Sequence, residues 1–344
     1  MIFYLWPLGI ALLLALAITP VIRFLALKHG IVDLPGPRKI HPSPTPLLGG
    51  LAVFLAFFIS VAIFWLLGMV SDAKISEVQI LAVFGGGLIL MIGGYLDDRY
   101  NLQPWQQFIF PVLASVTVIL AGLKIEFVSS PLGGILHFPA ALGIAIAFFW
   151  LLGMIYTTKF LDGLDGLASG ITAIGAIIIF FVSLYWDVPS SGTSVLALVL
   201  AGSALGFLVF NWHPAKIFLG EGGSVFCGFM LGTLSIISGS KIATALLIMG
   251  VPILDVFWVI IRRLWQGRSP VAADRKHLHF RLLDIGLSQR QAVVFLYLIT
   301  AAFGVTSLFL PSSGKLIALM GLAVFMVILG ISLILAYQLK SKHE

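Results

Sequence analysis

The sequence predicts an all-α protein that crosses a membrane many times, and three observations carry that expectation. Of 344 residues, 60% are hydrophobic and 10% charged, whereas soluble domains run at about 45–50% and about 25%. The mean hydropathy is +1.11. Uncharged stretches long enough to cross a hydrocarbon core, about 18–25 residues, recur along the whole chain. Such a composition cannot clothe itself in a water-soluble surface, which excludes soluble enzymes, nucleic-acid readers and disordered scaffolds. The one cysteine, Cys227, excludes an internal disulfide and a cysteine-rich zinc site. It reads as a small apolar helix residue.

The apolar stretches number about eleven: 2–27, 47–70, 79–96, 105–123, 139–156, 167–186, 194–212, 224–239, 242–264, 292–310 and 315–337. The eighth is short and its gap to the ninth is small, so ten is the next count. No basic residue precedes the first stretch, where the first charge is Arg23. It is therefore expected to be a retained anchor rather than a cleaved signal. The chain is expected to form one membrane domain, 1–344, with polar connections near 28–46, 97–104, 157–166, 212–223 and 265–291.

With eleven spans, only Lys74, Lys124, Lys241 and Lys315 fall on one side, and the other sixteen of the twenty Lys and Arg residues fall opposite. Positive residues stay in the cytoplasm, which predicts an outside N-terminus and a cytoplasmic C-terminus. The net charge of +6 is thus mostly topological. It suits an anionic headgroup and gives no reason to expect nucleic acid.

The same division concentrates the chemistry on the basic side. Asp97-Asp98-Arg99 ends the third stretch, where a helix dipole disfavours carboxylates, so a metal or proton-transfer role competes with an ordinary polar helix end. Asp162-Gly163-Leu164-Asp165-Gly166 opens the sixth; if helical, its carboxylates share one face at i and i+3. An N-cap is the plainer reading of either aspartate. Gly220-Glu221-Gly222-Gly223-Ser224 opens the eighth and offers a glycine-rich helix start able to cradle phosphate. Glu221 in such a cradle calls for a cation, which points to Mg²⁺ between carboxylate and phosphate. A glycine-rich turn is the plainer alternative.

The longest polar segment, 266–291, holds His277 and His279 among Arg268, Arg275, Lys276, Arg281 and Arg290. Among so many cations the pair suits phosphate better than metal, with a topology-setting basic loop as the alternative. The connection 29–46 carries Pro35, Pro37, Pro42, Pro44 and Pro46 beside Arg38, Lys39 and His41, a stiffened loop. Asp255 lies inside the ninth stretch, about two turns or ~10 Å from Arg262. A carboxylate there must find a partner, and it either faces the site or ties helices together. Pro252 is expected to kink that helix. Residues 124–138, with Gly133-Gly134, read as a small hairpin.

Taken together, Asp97-Asp98, the Asp-Gly-Leu-Asp-Gly-Leu run at 162–167, Asn211, the run from Pro214 to Ser224, and His277-Leu278-His279 resemble the polyprenyl-phosphate N-acetylhexosamine 1-phosphate transferases. The motif order matches from residue 37 through Arg290. The resemblance implies transfer of a sugar 1-phosphate, foremost GlcNAc 1-phosphate, from a UDP-sugar to undecaprenyl phosphate, with release of UMP. It implies Mg²⁺, for which Mn²⁺ could substitute, and a site on the cytoplasmic face of a bacterial inner membrane. It implies that Asp97, Asp98 and Asp162 are catalytic, the aspartate pair acting on acceptor phosphate or metal, and that Glu221 binds the metal. Lys39, His41, Lys159, Asp165, Asn211, His277, His279 and Arg281 are the implied substrate-binding residues, Asp165 near the uridine. A homodimer is a further partner that the resemblance allows.

Three positions depart from the family pattern. Glu221 stands for a usual Asp, Lys159 for a frequent Asn, and Phe280 for a third consecutive His. The last argues against the branch that uses a UDP-muramoyl-pentapeptide donor, which is the alternative within the family. From another class, a transporter would share the many spans but would place its charges near the midplane, where Asp255 alone fits.

Overall fold

A computed structural model describes residues 2–36, 41–70, 75–131, 133–186, 191–239, 241–267 and 277–340. Its helices are α1 (Ile2–Lys28), α2 (Gly49–Leu66), α3 (Glu77–Tyr100), α4 (Pro104–Leu120), α5 (Ala140–Leu161), α6 (Leu167–Trp186), α7 (Gly192–Asn211), α8 (Gly220–Ile237), α9 (Ile242–Ile248), α10 (Gly250–Trp265), α11 (Leu278–Asp284), α12 (Gln289–Phe309) and α13 (Ser312–Lys340). Strands β1 (Val32–Asp33) and β2 (Thr45–Pro46) pair antiparallel, as do β3 (Phe127–Ser129) and β4 (Ile135–His137). The second pair is the expected hairpin at 124–138. The first was not expected, because two residues are too few for a visible alternation.

All eleven apolar stretches are helical, but the span count needs correction. Among the described residues nine helices are long and apolar enough to cross a membrane, and α9 with α10 makes a tenth only if one span may bend by 76°. Helix α4 falls short at 17 residues. The expected break near 239–241 is present, but a second one divides the ninth stretch at Met249. Pro252 has no N–H to donate to the Ile248 carbonyl, so the ladder ends there.

Most of these helices are apolar all round, as burial in lipid and protein together requires. Their ends are set by local chemistry. Ser76 and Gln79 cap α3 reciprocally, and Ser288 and Gln291 do the same for α12. Pro104 begins α4 in the first turn, where its missing N–H costs nothing.

Helix α8 lies at the centre and is buried on nearly every side, whereas α13 lies at the periphery and is mostly exposed. Around α8 pack α2, α3, α5 and α6. Two of these contacts are backbone to backbone: Gly94 of α3 meets Gly222, and Gly50 of α2 meets Gly223. A Cβ at Gly94, Gly50 or Gly223 would strike main chain, so only glycine at those three positions permits this approach. The start of α8 is thereby pressed against the end of α3 and the start of α2, and Asp98 of α3 meets Glu221 of α8.

Candidate active site

The site begins where α3 ends. Asp97 Oδ1 accepts hydrogen bonds from Leu102 N at 2.8 Å and Gln107 Nε2 at 2.9 Å. Asp98 Oδ1 accepts the main-chain N–H of Glu221 at 3.1 Å. Capping, which the position at a helix C-terminus argues against, therefore does occur. Asp98 caps α8 instead of its own helix, and the positive end of α8 favours its charge.

The 162–166 run is a turn between α5 and α6 rather than a helical face, which corrects the i, i+3 reading. Gly166 has φ +79°, a conformation glycine adopts without strain. Asp165 Oδ2 is held by His213 Nδ1 at 2.7 Å and Ala215 N at 3.1 Å. Asn211 is buried and fastens the turn: its Oδ1 accepts Gly166 N at 3.1 Å and Ser169 Oγ at 2.9 Å, and its Nδ2 donates to Ile217 O at 3.0 Å. Tyr297 Oη donates to Gly166 O. Asp162 is different, for its carboxylate accepts no hydrogen bond among the described residues. Burial, then the charges of Glu221 and Asp165, push it up to about 7.

At the start of α8 the glycines are spent on helix contact, and the Glu221 N–H is taken by Asp98, so the segment is not the open phosphate cradle that its composition suggested. The Glu221 carboxylate faces Lys159 of α5, Nζ to Oε1 2.5 Å, with both side chains 19% exposed. Lys159 Nζ also donates to Gln107 Oε1 at 2.8 Å.

These groups line one cleft of about 670 Å³. Asp97, Asp98, Lys159, Asp162, Asp165, Asn211, Glu221 and His41 all face it. One wall is made by residues 32–34 and 41–47, joined by the β1–β2 pair and pinned where Phe218 N donates to Pro46 O at 2.8 Å. On that wall His41 sits between Asp33 Oδ2, at 2.9 Å from Nε2, and Ser43 O, at 2.8 Å from Nδ1. His41 is thus held on both sides of its ring. Lys39 lies outside the described residues.

The histidine segment stands behind the cleft. Asp255 of α10 accepts His277 Nδ1 at 2.8 Å and Leu278 N at 2.8 Å, so it both grips the histidine and caps α11. That settles the alternatives left open for Asp255 in favour of a tie between segments. The rings of His277 and His279 stack at 5.7 Å, and Phe160 stacks on His277 at 5.8 Å. His279 is buried against Gly163, its Nε2 lacks a partner among the described residues, and burial holds it down at about 4. Neither histidine lines the cleft; Phe280 does. Arg281, also away from the lining, is half-buried in the last turn of α11.

Sequence reasoning missed Asp33, Gln107 and Gln289. Each lies at the edge of an apolar run and fits no motif, and only Gln107 carried a signal, as an amide near the start of an apolar helix.

Apolar helices closing around an acid-lined cleft at one end define an integral-membrane protein that handles a charged, polar group beside lipid. Residues 80–239 match the family model described as Glycosyl transferase family 4. The chain is 34% identical over 88% of its length, and 84% of the relative's, to a protein of Bacillus subtilis described as a probable undecaprenyl-phosphate N-acetylglucosaminyl 1-phosphate transferase. It is 35% identical, over 89% of its length and 82% of the relative's, to a decaprenyl-phosphate N-acetylglucosaminephosphotransferase of Mycolicibacterium smegmatis. The corresponding enzyme described from Yersinia pestis is 27% identical, over 84% of this chain and 79% of its own. The chain belongs to glycosyl transferase family 4, among the polyprenyl-phosphate N-acetylhexosamine 1-phosphate transferases.

Proposed function

We propose that this protein transfers N-acetylglucosamine 1-phosphate from a UDP-sugar to undecaprenyl phosphate, releasing UMP, on the cytoplasmic face of a bacterial inner membrane. The observation that carries the reading is the gathering of Asp97, Asp98, Asp162, Asp165 and Glu221 into one cleft at the ends of lipid-facing helices. A phosphoryl group moving between a soluble donor and a membrane-bound acceptor needs such a place, since one substrate approaches through water and the other through lipid. The names of the relatives support the sugar and the lipid.

In the reaction, an oxygen of the lipid phosphate attacks the β-phosphorus of the donor in line, and the bond from that phosphorus to the bridging oxygen breaks. The bridging oxygen and its electron pair leave with UMP. The attacking oxygen is already ionised near neutral pH, so placement and charge control matter more than proton removal.

Mg²⁺ is part of this proposal. Among the described residues no three acid or imidazole side chains converge as a ready-made cage. Mg²⁺, however, is bound through one or two carboxylates with substrate phosphate completing the shell, and Asp162, whose carboxylate accepts no hydrogen bond among the described residues, with Asp98 and Glu221 fits that use. When bound, the ion would neutralise phosphate charge. The chain's own residues then divide the work: Asp97 and Asp98 orient the acceptor side, Asp165 with Asn211 shapes the uridine side, and the His277–His279 segment backs the donor. Purified protein incubated with undecaprenyl phosphate, Mg²⁺ and a panel of UDP-sugars should release UMP and form a sugar-diphospho-lipid, with UDP-GlcNAc the best donor. Absence of both products with every donor would sink the reading.

A further inference from the structure

One side chain connects the two ends of the acid cluster and has no part in the chemistry above. Gln107 of α4 donates from Nε2 to Asp97 Oδ1 at 2.9 Å and to Leu102 O at 3.0 Å. Its Oε1 accepts Lys159 Nζ at 2.8 Å. Lys159 Nζ reaches Glu221 Oε1 at 2.5 Å and lies 5.9 Å from the centre of the Tyr156 ring. Asp97, Gln107, Lys159 and Glu221 thus form a continuous chain across α3, α4, α5 and α8.

Lys159 is the one Lys or Arg among the described residues that line the cleft. An ammonium is a compact charge with three donors on a flexible stem, and Coulomb attraction alone would let it move between the Asp97 and Glu221 carboxylates. The Gln107 amide removes that freedom because its two ends differ. Its N–H₂ faces the carboxylate and its oxygen faces the ammonium. Turned round, it would set donor against donor and oxygen against oxygen.

We propose that Gln107 is a positioning residue that directs the Lys159 ammonium onto Glu221 and withholds it from Asp97. The ammonium sits against Glu221, while Asp97 is held by the hydrogen bonds from Gln107 and Leu102 instead. For its effect on turnover the proposal rests on the transfer reaction proposed above; for its effect on Lys159 it does not.

Two measurements on the full-length protein test it. In the first, Lys159 is labelled by reductive methylation and quantified by mass spectrometry. Released from the Gln107 oxygen, Lys159 should be freer to meet the reagent and react about threefold faster in Gln107→Leu, whereas Gln107→Glu, which keeps an acceptor there, should not speed it. Equal rates in the three proteins would overturn the proposal. In the second, Gln107→Leu should lower kcat about tenfold in the parent and cause no further loss in a Lys159→Met background, the pattern of two residues acting as one unit. Losses that multiply independently would also overturn it, and a purely structural role would lower Tm without that coupling. A parent protein that forms no product refutes the functional reading and leaves the labelling rates to decide on Gln107.

Discussion

Asp98 and Glu221 stand 123 positions apart, yet the main-chain N–H of Glu221 donates to Asp98 Oδ1 at 3.1 Å. The bond fixes the start of α8 to the end of α3 at the point where Gly94 and Gly222 touch. An acid of the cleft is therefore also a structural cap, and the two duties can be separated by substitution. Asp98→Asn keeps an oxygen for the Glu221 N–H and should preserve Tm while lowering UMP release at least about a hundredfold. Asp98→Ala should lose activity and, through the missing cap, about 1 kcal/mol of stability. Thermal unfolding in detergent beside a UMP assay distinguishes them; similar Tm losses in both variants would count against the cap.

Removing Glu221 strands Lys159. Glu221→Ala should abolish UMP release and destabilise the protein by about 3 kcal/mol, because a largely buried ammonium loses its counter-charge. Glu221→Asp should keep part of the activity. Glu221→Ala combined with Lys159→Met should recover stability but no turnover, and near-normal UMP release from the Ala variant would reject the role of Glu221.

Asp255 acts on the histidine segment from outside the cleft. In Asp255→Asn one oxygen can still cap Leu278 N, but the amide nitrogen cannot accept the His277 N–H. A partial loss follows, with KM for the UDP-sugar raised about tenfold and kcat changed less. A kcat loss as deep as that of Asp98→Asn would contradict this.

The docking of α11 should depend on pH through His279. Its folded value, about 4, lies below the ordinary value of about 6.5, so the opened state takes up the proton first. The contribution of His279 to docking is complete above about pH 6.5, falls as pH drops toward 4, and changes no further below that. Hydrogen exchange at the amides of residues 278–284 should quicken across that window. In His279→Phe the dependence should flatten; an unchanged pH profile in that variant would assign the effect elsewhere.

What could be read from the sequence, and what could not, follows from the range of each interaction. Membrane helices were legible because a bilayer demands some twenty apolar residues in a row, and a hairpin at 124–138 because Gly133 and Gly134 mark its turn. Asp162, Asp165 and Glu221 were visible as acids set among glycines. The pairings were not: Asp98 with Glu221, Gln107 with Lys159 and Asp255 with His277 obey no fixed spacing, since each depends on which helices become neighbours. Whether 162–166 is a turn or a helix face could not be read, because its glycine frame is compatible with either. The bend at Met249 was legible through Pro252, which leaves the Ile248 carbonyl without its N–H one turn earlier.

The paired glycines beneath the acids have a mechanical consequence. With Gly94 against Gly222 and Gly50 against Gly223, three backbones beside the acids are in direct touch, with no side chains between them to rearrange. Any give around the cleft is then left to parts of its lining away from that contact, such as the segment bearing His41 and the short helix bearing Phe280.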